Sequence, residues 1–184
     1  MRILIALCFL TLIVCSCGKQ VARKPVSQKS GSYIQESVQR NKQLIAEEEE
    51  YIKDLIKKDT AHSYLSSTNG FWYTYVQKDT LGKTITPQIG DLVLFSYNLN
   101  TLAGRKILSK EEIGNTVTQI DQSNQELISG IRQGLKIMKE GETITFLLPS
   151  HKAYGYYGLD NKITSNTPVS TTVTLLEIKD QTKN

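Results

Sequence analysis

The sequence predicts an α+β fold: an antiparallel sheet wrapped around one short helix, with an amphipathic helix ahead of it. Three observations support this prediction. Apolar residues alternate in four stretches separated by turn residues, one helical pattern interrupts them, and no βαβ alternation occurs. The alternating stretches are residues 71–76, 91–100, 142–148 and 169–178.

The short helix is predicted by an apolar pattern at spacings of three and four, formed by Ile128, Ile131, Leu135 and Met138. Gly141 follows this pattern, and glycine favours the left-handed conformation that ends many helices. We therefore expect the helix to stop at Gly141. The turn-separated strands on either side would wrap around it.

A longer amphipathic helix is predicted over residues 33–59. Its apolar stripe, at spacings of four and seven, contains Ile34, Val38, Ile45, Ile52 and Ile56. The stripe either joins two copies of the chain in a homodimer or folds onto its own domain, and the second arrangement is favoured.

The acidic run of residues 47–50 lies on the same predicted helix. Glu49 and Lys53 are four residues apart, a spacing that brings opposite charges together on a helix surface. We interpret the run as a solvated face and not as a metal site.

The first 16 residues are predicted to be a lipoprotein signal peptide. Arg2 precedes an apolar stretch over residues 3–14, and such a stretch is shorter than the roughly 20 residues that a bilayer span requires. The sequence Val14-Cys15-Ser16-Cys17 resembles a bacterial lipobox.

Cys17 is therefore the predicted lipidation site and the first residue of the mature protein. Cys15 is the weaker candidate because bulky Val14 precedes it. Residues 17–32 would be a lipid anchor and flexible tether, holding the protein on a bacterial membrane, with the outer membrane favoured, and facing the periplasm. The alternative is an ordinary signal peptide and a soluble periplasmic protein.

Composition limits the chemistry of the remaining chain. All three cysteines, Cys8, Cys15 and Cys17, lie at the start, and neither His62 nor His151 has a second histidine at ligand spacing. We expect no metal, no cofactor and no Ser-His-Asp triad. The net charge of +4 is scattered, so nucleic acid is not an expected partner.

Four segments carry a family resemblance, and their order and spacing agree with it. They are residues 90–97 (GDLVLFSY), 126–131 (ELISGI) running through 138–142 (MKEGE), 148–149 (LP) with 153–155 (AYG), and 173–178 (VTLLEI). Residues 90–178 resemble the FKBP-type peptidyl-prolyl cis-trans isomerase domain. The expected domain covers residues 64–180 and has the family's sheet and helix.

The resemblance implies a proline-binding pocket and the residues that form it. In the family, the Tyr154 position supplies a hydroxyl and the Ile128 position a backbone N–H, which together hold substrate carbonyls. We assign both as catalytic. The implied substrate-binding residues are Tyr97, Ile107, Leu108, Leu127 and Ile131.

The chain departs from the family pattern at several pocket positions. Ile131 stands where the family usually has tryptophan, Ile107 and Leu108 replace a Phe-Asp pair, and Thr118 and Thr171 occupy two aromatic positions. These changes remove ring surface and an acidic group, so we expect weak activity in a pocket that is still apolar.

The function implied is prolyl isomerisation of proline-containing exported polypeptides. Rotation about the imide bond needs an apolar cleft and a few fixed donors, but no nucleophile. The tether, helix and Gly70-Phe71-Trp72-Tyr73 strand also resemble the gliding-motility-associated isomerase lipoproteins of the Bacteroidota, which implies clients in a motility or secretion machine. The alternative is a non-catalytic FKBP-like module that binds proline-rich or partly folded partners.

Overall fold

The computed structural model describes residues 30–80, 82–122 and 126–179. The predicted signal peptide, the lipidation site Cys17 and most of the predicted tether lie outside the described residues. The boundary between two compact units falls within the first helix, between Val38 and Gln39.

The described residues form three α-helices, eight strands and one 3-10 helix, joined by turns and loops. The helices are α1 (Ser30–Lys58), α2 (Lys110–Ile113) and α3 (Ser129–Leu135), and the 3-10 helix is Ser150–Lys152. The strands are β1 (Leu65–Ser66), β2 (Trp72–Gln77), β3 (Leu92–Tyr97), β4 (Leu99–Thr101), β5 (Lys106–Leu108), β6 (Thr116–Gln119), β7 (Thr143–Leu148) and β8 (Val169–Lys179). None of these described helices is both long enough and apolar enough to cross a bilayer.

The strands form one antiparallel sheet, which confirms the predicted fold class. Its order is β1-β2-β7-β8-β3-β6, with β4 paired to β8 and β5 paired to β4. The eleven-residue β8 is the common partner of β7, β3 and β4. Each of the four predicted alternating stretches overlaps one of the longer strands, and β2 and β8 each extend one residue further.

Helix α3 packs closely on β7 through two glycines. An added Cβ at Gly134 would lie 2.7 Å from the ring of Phe146, and one at Gly130 would lie 2.6 Å from Leu148. Both partners are fully buried core residues. The absence of side chains on this face of α3 therefore allows the helix to approach the sheet.

The predicted end of the short helix is wrong. The helix ends at Leu135, because the amides of Ile137 and Met138 bond to carbonyls three residues earlier, which tightens the chain into turns. Gly141 does have a positive φ of 85°, but it lies in the turn that leads into β7.

Helix α1 begins three residues before the predicted start and ends at Lys58. Ile52 is fully buried, whereas Ile34 is 65% and Val38 is 46% exposed. In the unit that starts at Gln39, the apolar stripe thus packs onto its own domain, as favoured from the sequence.

The acidic run on α1 is not uniformly solvated. Glu49 and Lys53 form the predicted pair, at 3.7 Å. Glu48, however, is 7% exposed, so the prediction of a solvated face is wrong at this position. The reason is a tertiary contact: the Glu48 carboxylate accepts a hydrogen bond from the backbone of Ser150.

Gly134→Ala should destabilise the protein by about 1–3 kcal/mol, the usual effect of overpacking a core. An alanine in an unhindered helix would instead stabilise it by up to about 1 kcal/mol. Urea unfolding followed by circular dichroism measures the difference. A variant as stable as the wild type would contradict the close packing of α3 on β7.

Candidate functional site

A cleft of about 430 Å³ opens between β3, β6, the residues ahead of α3 and the loop that follows the 3-10 helix. Its volume lies in the range of ordinary small-ligand sites. Its lining residues are Tyr97, Thr116, Val117, Thr118, Glu126, Leu127, Tyr154 and Leu159.

Three of the predicted site residues, Tyr97, Leu127 and Tyr154, meet in this cleft. Ile128 immediately precedes α3, and it packs against the hydrophobic core while staying partly exposed. The structure thus brings together the early strand, the start of the helix and the later loop that the sequence resemblance implied.

The other predicted residues do not belong to the cleft lining. Ile131 is fully buried in the core cluster on which Tyr97, Leu127 and Tyr154 pack. Ile107 and Leu108 lie on β5, partly buried, and pack against the same cluster.

Sequence reasoning missed four lining residues: Thr116, Val117, Glu126 and Leu159. Strand β6 supplies the first two, and its β-branched Thr-Val-Thr run was the available signal for a strand. Thr118, on the same strand, had been noted only as a departure from the family pattern. No local signal pointed to Glu126 or Leu159.

Tyr97 lies at the end of β3 and is fixed by its neighbours. Its ring stacks on Phe95 with centroids 5.7 Å apart and an interplanar angle of 26°. Burial raises the pKa of the Tyr97 phenol above its ordinary value. The phenol is therefore neutral at physiological pH, and its hydroxyl keeps the proton.

Tyr154 lies in the loop after the 3-10 helix. Burial, with a smaller contribution from Tyr97, raises the pKa of Tyr154 to about 12. Its hydroxyl has no hydrogen-bond partner among the residues that the structure describes. A protonated hydroxyl with no partner among the described residues can donate to a carbonyl bound in the cleft.

The backbone N–H of Ile128 is a second available donor. Ile128 is the N-cap residue of α3, and its carbonyl accepts a hydrogen bond from the Arg132 amide at 3.2 Å. Its own amide bonds to none of the residues that the structure describes. Amides at helix starts lack partners within the helix, so this N–H is free for a ligand.

The cleft is not uniformly apolar. Thr116 and Thr118 supply hydroxyls to its lining, and exposed Glu126 supplies a carboxylate. Within the described ranges, no three His, Cys, Asp or Glu side chains cluster in a way that would hold a metal ion. The lining thus combines apolar side chains with groups that can form hydrogen bonds.

Comparison with known proteins assigns the chain to a class. The family model described as FKBP-type peptidyl-prolyl cis-trans isomerase matches residues 83–176, just over half of the chain. The chain belongs to this family, as its sequence motifs predicted.

Individual relatives are more distant. Peptidyl-prolyl cis-trans isomerase FKBP9 of Homo sapiens is 30% identical over 89 residues, and the protein of the same name from Rattus norvegicus is 29% identical over the same length. Each match covers 48% of this chain but spans 15% of the relative.

Two solved structures share the fold. FkpA from Escherichia coli has a TM-score of 0.58 at 23% identity, covering 97% of this chain and 81% of that one. A peptidyl-prolyl cis-trans isomerase from Pseudomonas syringae pv. tomato has a TM-score of 0.57 at 19% identity, covering 76% of this chain and 96% of that one. The FKBP-like architecture extends beyond the residues that the family model matches.

The raised pKa of Tyr154 predicts an alkaline loss of stability. Unfolded tyrosine ionises at about pH 10, whereas Tyr154 in the folded protein does so at about 12. The stabilisation is complete below pH 10 and is lost as the pH rises towards 12. Urea unfolding between pH 10 and pH 12 should show a smaller fall in the free energy of unfolding for Tyr154→Phe than for the wild type. Equal falls in the two proteins would contradict the burial of this phenol.

Proposed function

We propose that this protein is a peptidyl-prolyl cis-trans isomerase that acts on proline-containing segments of exported proteins. The observation that carries the proposal is the Tyr154 hydroxyl, which has no hydrogen-bond partner among the described residues and lies in the cleft that Tyr97 and Leu127 also line. Family membership supports the same reaction. Tyr154 and the Ile128 amide are the groups we assign to substrate carbonyls.

The chemistry requires little beyond binding of the twisted imide. Rotation about a peptide bond crosses about 18–20 kcal/mol because resonance is lost. An apolar cleft disfavours the charge-separated planar form, and fixed donors can bind the twisted form more strongly than the planar one. Tyr97, Leu127 and Leu159 supply apolar surface for this purpose.

The remaining predicted substrate-binding residues, Ile107, Leu108 and Ile131, lie in or against the apolar core next to the cleft. Ile131 belongs to the core on which the lining packs, and Ile107 and Leu108 pack against that core. We propose that Ile107 and Leu108 border the proline ring when a peptide is bound. Ile131 would fix the lining residues from within the core.

We also propose that Cys17 is lipidated, which would anchor the protein to a bacterial membrane facing the periplasm. The lipobox-like sequence supports this assignment. The proposed clients include components of a motility or secretion machine, on the basis of the overall layout of tether, helix and domain.

Because the later part of the stripe packs on its own domain, the homodimer that we propose within residues 33–59 uses the exposed start of α1. Tyr33 and Ile34 are 69% and 65% exposed near the start of α1, although both are large and apolar in character. Burying such side chains against a second copy would be favourable by about 25 cal/mol per Å² of apolar surface.

Tyr154→Phe should lower kcat/KM for an Ala-Leu-Pro-Phe peptide by about tenfold, because one hydrogen bond of about 1.4 kcal/mol to the transition state is lost. A protease-coupled assay measures the rate. Tyr156→Phe is the matched control, since Tyr156 lies two residues away and is 74% exposed; it should retain the wild-type rate.

An unchanged rate in Tyr154→Phe would remove this hydroxyl from the site. Absence of any acceleration by the wild type would favour a second function, a non-catalytic module that binds proline-rich or partly folded partners. The polar lining residues Thr116, Thr118 and Glu126, which disfavour full desolvation, are the observation that supports it.

Cys17→Ser should move the protein from the membrane fraction to the soluble fraction, because a multi-chain lipid anchor contributes about 0.8 kcal/mol for each buried methylene. Cys15→Ser is the matched control and should stay with membranes. Fractionation followed by immunoblotting distinguishes the two. Membrane association of Cys17→Ser would contradict lipidation at this residue.

A further inference from the structure

Glu48 is a buried acid that the proposed chemistry does not use. It lies on the part of α1 that belongs to the larger unit, and it is 7% exposed. Its Oε2 accepts a hydrogen bond of 2.7 Å from the backbone N–H of Ser150, 102 residues further along the chain. Its Oε1 has no hydrogen-bond partner among the described residues.

Burial of the Glu48 side chain destabilises the folded protein unless another interaction offsets it. Removing a carboxylate from water is unfavourable, and leaving one of its oxygens unpaired adds to the cost. Glu47 and Glu50, beside it on the helix, are exposed and incur no such cost. The burial of Glu48 therefore points to a role for its single hydrogen bond.

That bond reaches the segment that holds Tyr154. Ser150 is 2% exposed, and its carbonyl accepts hydrogen bonds of 2.9 Å from the amides of both Ala153 and Gly155. These two residues flank Tyr154 in the sequence. Ser150 is thus bonded to Glu48 through its backbone N–H and to the Tyr154 loop through its carbonyl.

No side chain at the start of the 3-10 helix accepts the Ser150 N–H in place of Glu48. Pro149 is the N-cap residue of the 3-10 helix, and its side chain makes no capping hydrogen bond. Two other hydrogen bonds hold the loop. The Ser129 hydroxyl donates to the Lys152 carbonyl at 3.4 Å, and the backbone N–H of Asn166 donates to the Gly155 carbonyl at 2.8 Å.

We propose that Glu48 is a positioning residue for the isomerase reaction, acting through Ser150 to hold the Tyr154 hydroxyl over the cleft. The inference rests on the proposed function. It makes α1 part of the scaffold of the site, although α1 lies outside the residues that the family model matches.

Glu48→Ala should lower kcat/KM about tenfold, mostly through kcat, since a small displacement of a catalytic group can reduce rates 10- to 100-fold. Glu48→Gln should recover most of the rate, because an amide oxygen still accepts from the Ser150 N–H. Glu50→Ala is the matched control on the same helix and should be as active as the wild type. Failure of Glu48→Gln to recover activity would overturn the role of the hydrogen bond.

A double-mutant cycle separates positioning from general destabilisation. If Glu48 acts through Tyr154, Glu48→Ala should cost less than about twofold in the Tyr154→Phe background. Independent, multiplying losses would overturn the proposal.

Ile52→Val is a control that tests whether weaker packing of α1 is by itself enough to lower activity. Ile52 is fully buried on α1 one turn after Glu48, so this change should lower the melting temperature without changing kcat/KM. If it lowers activity as much as Glu48→Ala does, Glu48 has a structural role only and the proposal is overturned.

Nuclear magnetic resonance tests whether Glu48 positions the Tyr154 loop without relying on enzyme activity. In ¹⁵N-labelled protein, Glu48→Ala should shift the amide signals of Ala153, Tyr154 and Gly155, whereas Glu50→Ala should not. If the wild type proves inactive, the proposed function fails, while these shifts still report whether Glu48 positions the loop. Unshifted signals would overturn the positioning itself.

Discussion

The close approach of α3 to β7 is the contact on which the site depends. Gly130 and Gly134 leave no side chain between the helix and the rings and methyl groups of Phe146 and Leu148. Because α3 starts directly after Ile128 and β7 runs directly into the 3-10 helix, this contact fixes the start of α3 relative to the chain that leads to Tyr154. A bulkier α3 face would separate the two donors of the site.

The two donors are available for different physical reasons. The Ile128 amide has no acceptor among the described residues, because the first amides of a helix find none within the helix. The Tyr154 hydroxyl is protonated because burial disfavours the phenolate, and its loop offers it no acceptor among the described residues. Neither group needs a charge, which fits a reaction that moves no proton.

Local periodicity predicted the four longest strands and the short helix, whereas the family resemblance implied three lining residues, Tyr97, Leu127 and Tyr154. Residues that enter the site through pairing were missed. Val117 reaches the cleft because β6 pairs with β3, where it lies opposite Leu94. The prediction for Glu48 was wrong because its hydrogen-bond partner, Ser150, lies 102 residues away in the chain, and helical periodicity cannot indicate such a contact.

From Gln39 onward, the residues ahead of the matched family segment belong to the same compact unit as that segment. Strand β2 pairs with β7 along its length, and Phe71, just before β2, packs edge-on against Phe146 with ring centroids 5.7 Å apart. Phe146 is the residue that Gly134 of α3 meets from the helix side. The preceding strand and the central helix therefore share one buried ring, so a disturbance of β2 reaches α3 through the core.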